Sequence, residues 1–189
     1  MKKKISIVIL VALFVLLAGA IFAQNEADFE VGLTEDGTGI IIKKYNGKET
    51  KVRIPATIQG KPIREIGFVS FASSVITSVV IPPGVTIIGD EAFSACQKLA
   101  SVTIPEGVTK IGQRAFLGCM AIKTIALPAS IERIGMNAFA GCSSLTTVTI
   151  PGSVESIIFE GIVNMAFVNC NKLSKASQEA LKKRGYTFF

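Results

Sequence analysis

The 189-residue sequence contains no histidine. That removes histidine-based catalytic triads and most zinc sites. No G-x-x-x-x-G-K-[ST] loop or dinucleotide-binding loop occurs, because the glycines fall at fixed repeat positions. Lysines and arginines do not cluster, so nucleic acid is not an expected partner. Glu65, Glu91, Glu132 and Glu155 stand in different contexts with no evident pairing, which argues against a carboxylate dyad. No cofactor, metal site or catalytic residue is expected, and the chain does not read as an enzyme.

One long apolar run is present, and it is N-terminal. Met1–Lys4 holds three lysines, Ile5–Phe22 carries no charge, and Ala23-Gln24 follows. A basic start, an apolar stretch and a small residue before a polar segment read as a secretory signal over 1–23. Ala18-Gly19-Ala20 offers a second cleavage point. No cysteine adjoins either point, so a lipid anchor is not expected. An uncleaved membrane anchor is the alternative. Loss of Lys2, Lys3 and Lys4 lowers the formal net charge from +6 to +3. The mature form is expected to be exported, whether secreted, periplasmic or on the cell surface, with no membrane span unless the signal is retained.

The rest of the chain repeats. Pro82, Pro105, Pro128 and Pro151 stand 23 residues apart, as do Gly89, Gly112 and Gly135. Phe93, Phe116 and Phe139 keep the same interval, and so do Cys96, Cys119 and Cys142. A fixed period of this length marks a solenoid. The shared pattern is I/L-P-x-x-V/I-x-x-I-G-x-x-A-F-x-x-C-x-x-L/I, then x-x-V/I-x-I/L before the next proline. The alternation before each proline predicts a short half-buried strand, paired in parallel with its copies about 4.8 Å apart. Proline ends the strand for want of an N–H. The V-x-x-I segment sends two more apolar residues inward. The glycine after isoleucine is expected to supply a turn with positive φ. A-F-x-x-C is too short for more than a helical or 3-10 turn.

Both outer units are five residues longer. Pro55 to Ile66 and Pro151 to Ile162 each span eleven residues, against six in the central units. Gln59-Gly60-Lys61-Pro62 in the first and Glu160-Gly161 in the last suggest small hairpins. Terminal repeats need covers. Asp36-Gly37 and Asn46-Gly47 around Ile40-Ile41-Ile42 predict a β cap over 24–50. Ser174–Arg184, with Ser174 or Ser177 as cap and Gly185 as stop, predicts a helical cap over 174–189. Tyr186, Phe188 and Phe189 are expected to fold onto the last coil. About five repeats lie between the caps, over 51–173.

This pattern resembles the leucine-rich repeat of BspA-like bacterial surface proteins, over about Lys51–Leu173. The entry Gly37-Thr38-Gly39-Ile40 and the segment Ile54–Ile63 are similar to the usual start of such arrays. Ala176–Thr187 is similar to the tail of short spirochaete members. The resemblance implies a right-handed solenoid and an exported or surface protein. Larger members act in adhesion to host matrix proteins and in binding other bacteria. The expected partner is therefore a protein, either a host matrix or an envelope component, or a glycan. A structural or self-associating envelope protein is the alternative, although capped ends favour a monomer.

Two sets of residues carry the expectations. Cys96, Cys119, Cys142 and Cys170 occupy one column, which favours a buried thiol ladder with Ser74 at its foot. Disulfides between neighbouring coils are the alternative. Metal binding is disfavoured, because stacked thiols do not converge tetrahedrally. Phe93, Phe116, Phe139 and Phe167 should stack above Phe71, beside Ala92, Ala115, Ala138 and Ala166. The outward strand positions form the candidate binding row: Lys51 and Arg53, Ser78 and Val80, Ser101 and Thr103, Thr124 and Ala126, Thr147 and Thr149. Threonine suits exposed strand positions in any case.

A central place in the phenylalanine column predicts that Phe116→Ala costs about 3–5 kcal/mol. Chemical denaturation measures it, and a loss no larger than that of a surface substitution would remove Phe116 from the core.

Overall fold

A computed structural model describes residues 25–160 and 165–187. The expected signal over 1–23, Ile162-Val163 and Phe188-Phe189 lie outside the described residues.

The chain winds into five coils, each carrying two strands, with a third in the first coil. An N-terminal hairpin comes first: β1 (Phe29–Leu33) pairs antiparallel with β2 (Ile40–Tyr45). The strands before each proline are β3 (Lys51–Arg53), β6 (Ser78–Val80), β8 (Ser101–Thr103), β10 (Thr124–Ala126) and β12 (Thr147–Thr149). The V-x-x-I segments form strands of their own. These are β7 (Ile87–Ile88), β9 (Lys110–Ile111), β11 (Arg133–Ile134) and β13 (Ile158–Phe159). They continue β5 (Lys61–Ile66), so that β1-β2-β5-β7-β9-β11-β13 is one unbroken ladder. In the first coil β4 (Thr57–Ile58) turns back on β5, which is the expected hairpin. Helix α1 (Lys175–Lys182) closes the far end, with Ser174 as its cap and Gly185 at φ +102° beyond it.

The core is a set of columns. Phe71, Phe93, Phe116, Phe139 and Phe167 stack with ring centroids 4.9, 5.2, 5.2 and 5.1 Å apart. Tyr45 continues the stack below Phe71 at 5.2 Å, and Tyr186 closes it edge-on to Phe167 at 5.4 Å. Ala92, Ala115, Ala138 and Ala166 are fully buried beside the rings.

Two expectations are corrected. Gly89, Gly112 and Gly135 do not take positive φ. They are glycines because coils touch there: a Cβ on Gly89 would lie 2.8 Å from the Ile66 carbonyl oxygen, and one on Gly112 would lie 2.6 Å from the Asp90 nitrogen. Positive φ falls instead two residues later, at Val69, Glu91, Arg114 and Asn137, between 49° and 59°. The second correction concerns the last coil. Phe159, not Ile162, pairs beside Ile134, and Glu160 takes the glycine's place by donating to the Ile134 carbonyl at 2.9 Å. Its extra residues are thus divided. Pro151 to Phe159 spans eight residues against six for Pro128 to Ile134, and the rest follow Phe159.

The A-F-x-x-C stretch is a run of turns. Ala92, Ser94 and Cys96 donate to carbonyls three residues back, while Glu91, Phe93 and Ala95 donate to Gln113, Ala115 and Leu117 of the next coil. Half of the N–H groups therefore close the turn and half join the coils.

The proline-side ladder is split in two. It runs β3-β6-β8 and then β10-β12, and no hydrogen bond joins β8 to β10 among the described residues. Val102 and Ile104 at that seam are only half-buried, whereas Val79, Ile81, Ile125 and Leu127 are buried. The turn after the strand changes at the same place. Gly84 and Gly107 follow Pro-x with φ +96° and +99°, whereas Ser130 and Ser153 stand there in the next coils, outside the positive-φ region. Pro-x-Gly with positive φ makes a type II turn and the serine form a type I turn, and their central peptides point oppositely. The change of turn accompanies the seam but does not cause it alone, because β3 enters Pro55-Ala56-Thr57 without a positive φ and still pairs in register with β6. Side chains join the two turns instead. Gly107 N–H donates to Ser130 Oγ at 2.9 Å, and Ala129 N–H donates to the Glu106 carboxylate at 3.0 Å.

Amide exchange at Val102, Ile104, Thr124 and Ala126 is expected to be about tenfold or more faster than at Leu127 and Thr147, which bond within an intact pair. Equal protection would show the seam to be closed in solution.

Candidate functional site

The strands present the expected row outward. Lys51, Arg53, Ser101, Thr103, Thr124, Ala126, Thr147 and Thr149 are exposed, and Ser78 and Val80 are half-buried. Register is exact along each block in residue terms. Lys51, Ser78 and Ser101 align, as do Arg53, Val80 and Thr103. Thr124 aligns with Thr147 and Ala126 with Thr149. The row is therefore two blocks, one basic at its outer rung and one neutral, separated by the seam. The division coincides with the change from Pro-x-Gly to Pro-x-Ser.

The cysteine column points inward. Cys96 Sγ donates to the Phe71 carbonyl at 3.0 Å, Cys119 to Phe93 at 3.1 Å, Cys142 to Phe116 at 3.3 Å and Cys170 to Phe139 at 3.1 Å. Ser74 Oγ lies 3.4 Å from Cys96 Sγ at the foot of the column. All four cysteines are free and buried. Burial disfavours the thiolate and raises all four pKa values. The Cys170 thiol, nearest the end, is pushed up to about 11. Thiols held as donors in apolar surroundings are neither nucleophiles nor metal ligands at neutral pH. Among the described residues, no three His, Cys, Asp or Glu side chains are grouped to hold a metal ion. Glu91 is paired with Arg114 at 3.3 Å, and Glu65 is held up in pKa by burial first and by Asp90 second.

Sequence reasoning missed two apolar surface features. Phe68 is 65% exposed and Val75 60%. Phe68 and Val69 stand where the next coils carry Asp90-Glu91 and Gln113-Arg114, and that replacement is the readable signal. It also missed the knot at the hairpin tip. Thr34 and Thr38 hydroxyls donate to the Asp36 carboxylate and hold its pKa down at about 2.

A family model described as the BspA type leucine rich repeat region matches residues 64–189 in six copies. Among solved structures, a leucine-rich repeat protein of T. pallidum, TpLRR, is similar at 25% identity and a TM-score of 0.54, covering 87% of this chain and 97% of that one. A leucine-rich repeat protein of Bacteroides capillosus is 30% identical with a TM-score of 0.62, covering 68% of this chain and 97% of that one. A leucine rich cell surface protein of Faecalibacterium prausnitzii is 28% identical with a TM-score of 0.57, covering 80% of this chain and 53% of that one. No curated protein sequence matches the chain.

The raised thiol pKa values carry a sign. Unfolded thiols ionise near pH 8.5, and the folded ones hold their protons well above that. Their contribution is complete below about pH 8.5 and is lost as pH rises toward the folded values, by up to about 1.4 kcal/mol per thiol per pH unit. Denaturant titrations at pH 8 and pH 10 test this, as does attack by a thiol reagent at pH 8. Attack on the native protein should be no faster than its opening. Rapid native labelling, or stability that does not fall above pH 9, would contradict a buried column.

Proposed function

Since this chain belongs to the BspA-type leucine-rich repeat family, we propose that it is an exported, non-catalytic binding module that adheres to a protein of the host matrix through its proline-side strand face. On this reading residues 1–23 are a signal, 24–50 and 174–189 are end caps, and 51–173 form the recognition array. Its basic, then apolar, N-terminus supports export. Among the described residues no helix is long and apolar enough to cross a membrane.

The observation that carries the reading is the outward row itself. Ser101, Thr103, Thr124, Thr147 and Thr149 are exposed, small and hydroxyl-bearing, and they are held by paired strands on a single rigid stack. Such a row can meet an extended partner with many weak contacts without ordering its own backbone. The χ1-restricted side chains of Thr103, Thr124, Thr147 and Thr149 lose little freedom on contact.

The test is binding of the mature chain to immobilised matrix proteins, compared with a variant carrying Thr103→Glu, Thr124→Glu and Thr147→Glu. Binding is expected to fall about tenfold or more while the melting temperature holds, because these side chains face solvent. Unchanged binding by the triple variant would remove this face. Self-association of the unliganded chain in sedimentation would instead favour an envelope-building role.

A further inference from the structure

The two ends of the proline-side ladder are finished differently. At the far end, Val148 turns its N–H outward, and the Ser177 hydroxyl of α1 accepts it at 3.0 Å. The Thr146 carbonyl beside it accepts from the Ser174 N–H at 2.8 Å. The helix thus meets the outward polar groups of the last rung.

Among the described residues the first rung, β3, has no such cover. Its pairing with β6 uses alternate residues. Thr50 carbonyl accepts from Thr77 and Ser78, and Ile54 N–H donates to the Val80 carbonyl at 3.1 Å. Backbone groups of successive strand residues point to opposite edges. The N–H and C=O of Lys51 and Arg53 therefore face away from β6, and no hydrogen bond reaches them among the described residues. The β1–β2 hairpin extends the other ladder and pairs with β5, so it leaves this edge open.

The side chains along the open edge are cationic. Lys48, Lys51 and Arg53 are exposed, and Glu49 is the single acid in 48–53. Among the described residues no ion pair engages Lys48, Lys51 or Arg53, whereas Lys110 and Arg133 meet Glu160 and Arg114 meets Glu91. At the end of β3, Arg53 walls an open cavity of about 300 Å³ with Pro55, Ala56, Val80, Pro82 and Pro83. A bare strand edge is a template for another chain. Lysines on it repel a second copy of the same edge, and the same charge draws in a strand of opposite sign.

We propose that β3 receives an extended acidic segment of a partner protein as an added rung of the ladder. The partner's backbone pairs with the N–H and C=O of Lys51 and Arg53. Its carboxylates lie beside the Lys51 and Arg53 side chains as cross-strand neighbours. An apolar residue following them enters the proline-walled cavity. This surface is the open edge of the row's first rung, and none of the three threonines replaced in the triple glutamate variant belongs to β3.

The probe is a dye-labelled peptide of alternating Glu and Thr ending in Leu, titrated into the full chain and followed by fluorescence polarisation. Saturable binding that weakens with salt is expected, with no binding of the matching Lys–Thr peptide. Lys51→Pro removes an outward N–H and leaves the β6 pairing in place, since proline is tolerated on an edge. It should weaken binding about tenfold or more at an unchanged melting temperature. The double variant Lys51→Gln with Arg53→Gln should bind weakly and lose most of the salt dependence. In the unaltered chain, the amide signals of Lys51 and Arg53 should shift on peptide addition more than that of Val52, a readout that needs no variant. Full-strength binding by a folded Lys51→Pro chain, equal binding of the basic peptide, or unmoved Lys51 and Arg53 amides would overturn the proposal. So would a dimer of the chain alone that Lys51→Pro dissolves, because the edge would then belong to a second copy.

Discussion

Every coil must fit within about 5 Å of the next, and the other features follow from that spacing. Hydrogen-bonded strands repeat at about 4.8 Å. The phenylalanine rings repeat at 4.9 to 5.2 Å. One distance therefore satisfies the ladders and the aromatic column together. It holds only if nothing larger intrudes where backbone meets backbone. The alanine column is buried without gaps, and the glycine column has no room for a Cβ. The left-handed residues Val69, Glu91, Arg114 and Asn137 are a local cost of the same fit. For β-branched Val69 that conformation is least natural.

The two ladders respond differently to this constraint. The ladder through β5, β7, β9, β11 and β13 is continuous. The proline-side ladder divides where the turn chemistry changes, and Glu106 and Ser130 bridge the division through side chains. The molecule is thus a single stack on one side and two blocks on the other. Its outward hydroxyl row inherits that division, and its two outermost rungs differ again, one sealed by α1 and the other open at β3.

Much of the fold was legible because columns in a repeat amplify weak signals. Single residues such as Phe116 or Cys119 say little, but their recurrence at one interval places them on one axis and at one depth. The β cap was readable from the Asp36-Gly37 turn and the helical cap from Ser174, whereas Asn46-Gly47 makes no turn and leads irregularly from β2 to β3. The second ladder was not, because Ile87–Ile88 and its copies are two residues long and carry no alternation to read. The reason for Gly89, Gly112 and Gly135 was misread because the sequence shows that a side chain is absent, not whether torsion or contact excludes it. The last coil was misaligned because both Ile162 and Phe159 are apolar, and only pairing to Ile134 decides between them. Of the candidate face, the positions were legible from alternation. The seam coincides with Pro-x-Gly against Pro-x-Ser, but β3 and β6 pair across a comparable difference, so the turn sequence alone did not mark it. The open edge at β3 was hidden, since which strand lacks a neighbour is a property of the assembled ladder.

The thiol column also has a direction. Each sulfur donates to the coil before it, Cys96 to Phe71 first and Cys170 to Phe139 last. An unfolded chain in an oxidising medium would expose four cysteines able to pair in wrong combinations. A stack that grows from its first coil retires them in order, because each new coil finds the acceptor for its own thiol already in place. A chain emerging N-terminus first supplies the coils in that same sequence. The column therefore suits vectorial assembly, in which each new thiol docks onto a carbonyl that the preceding coil already presents.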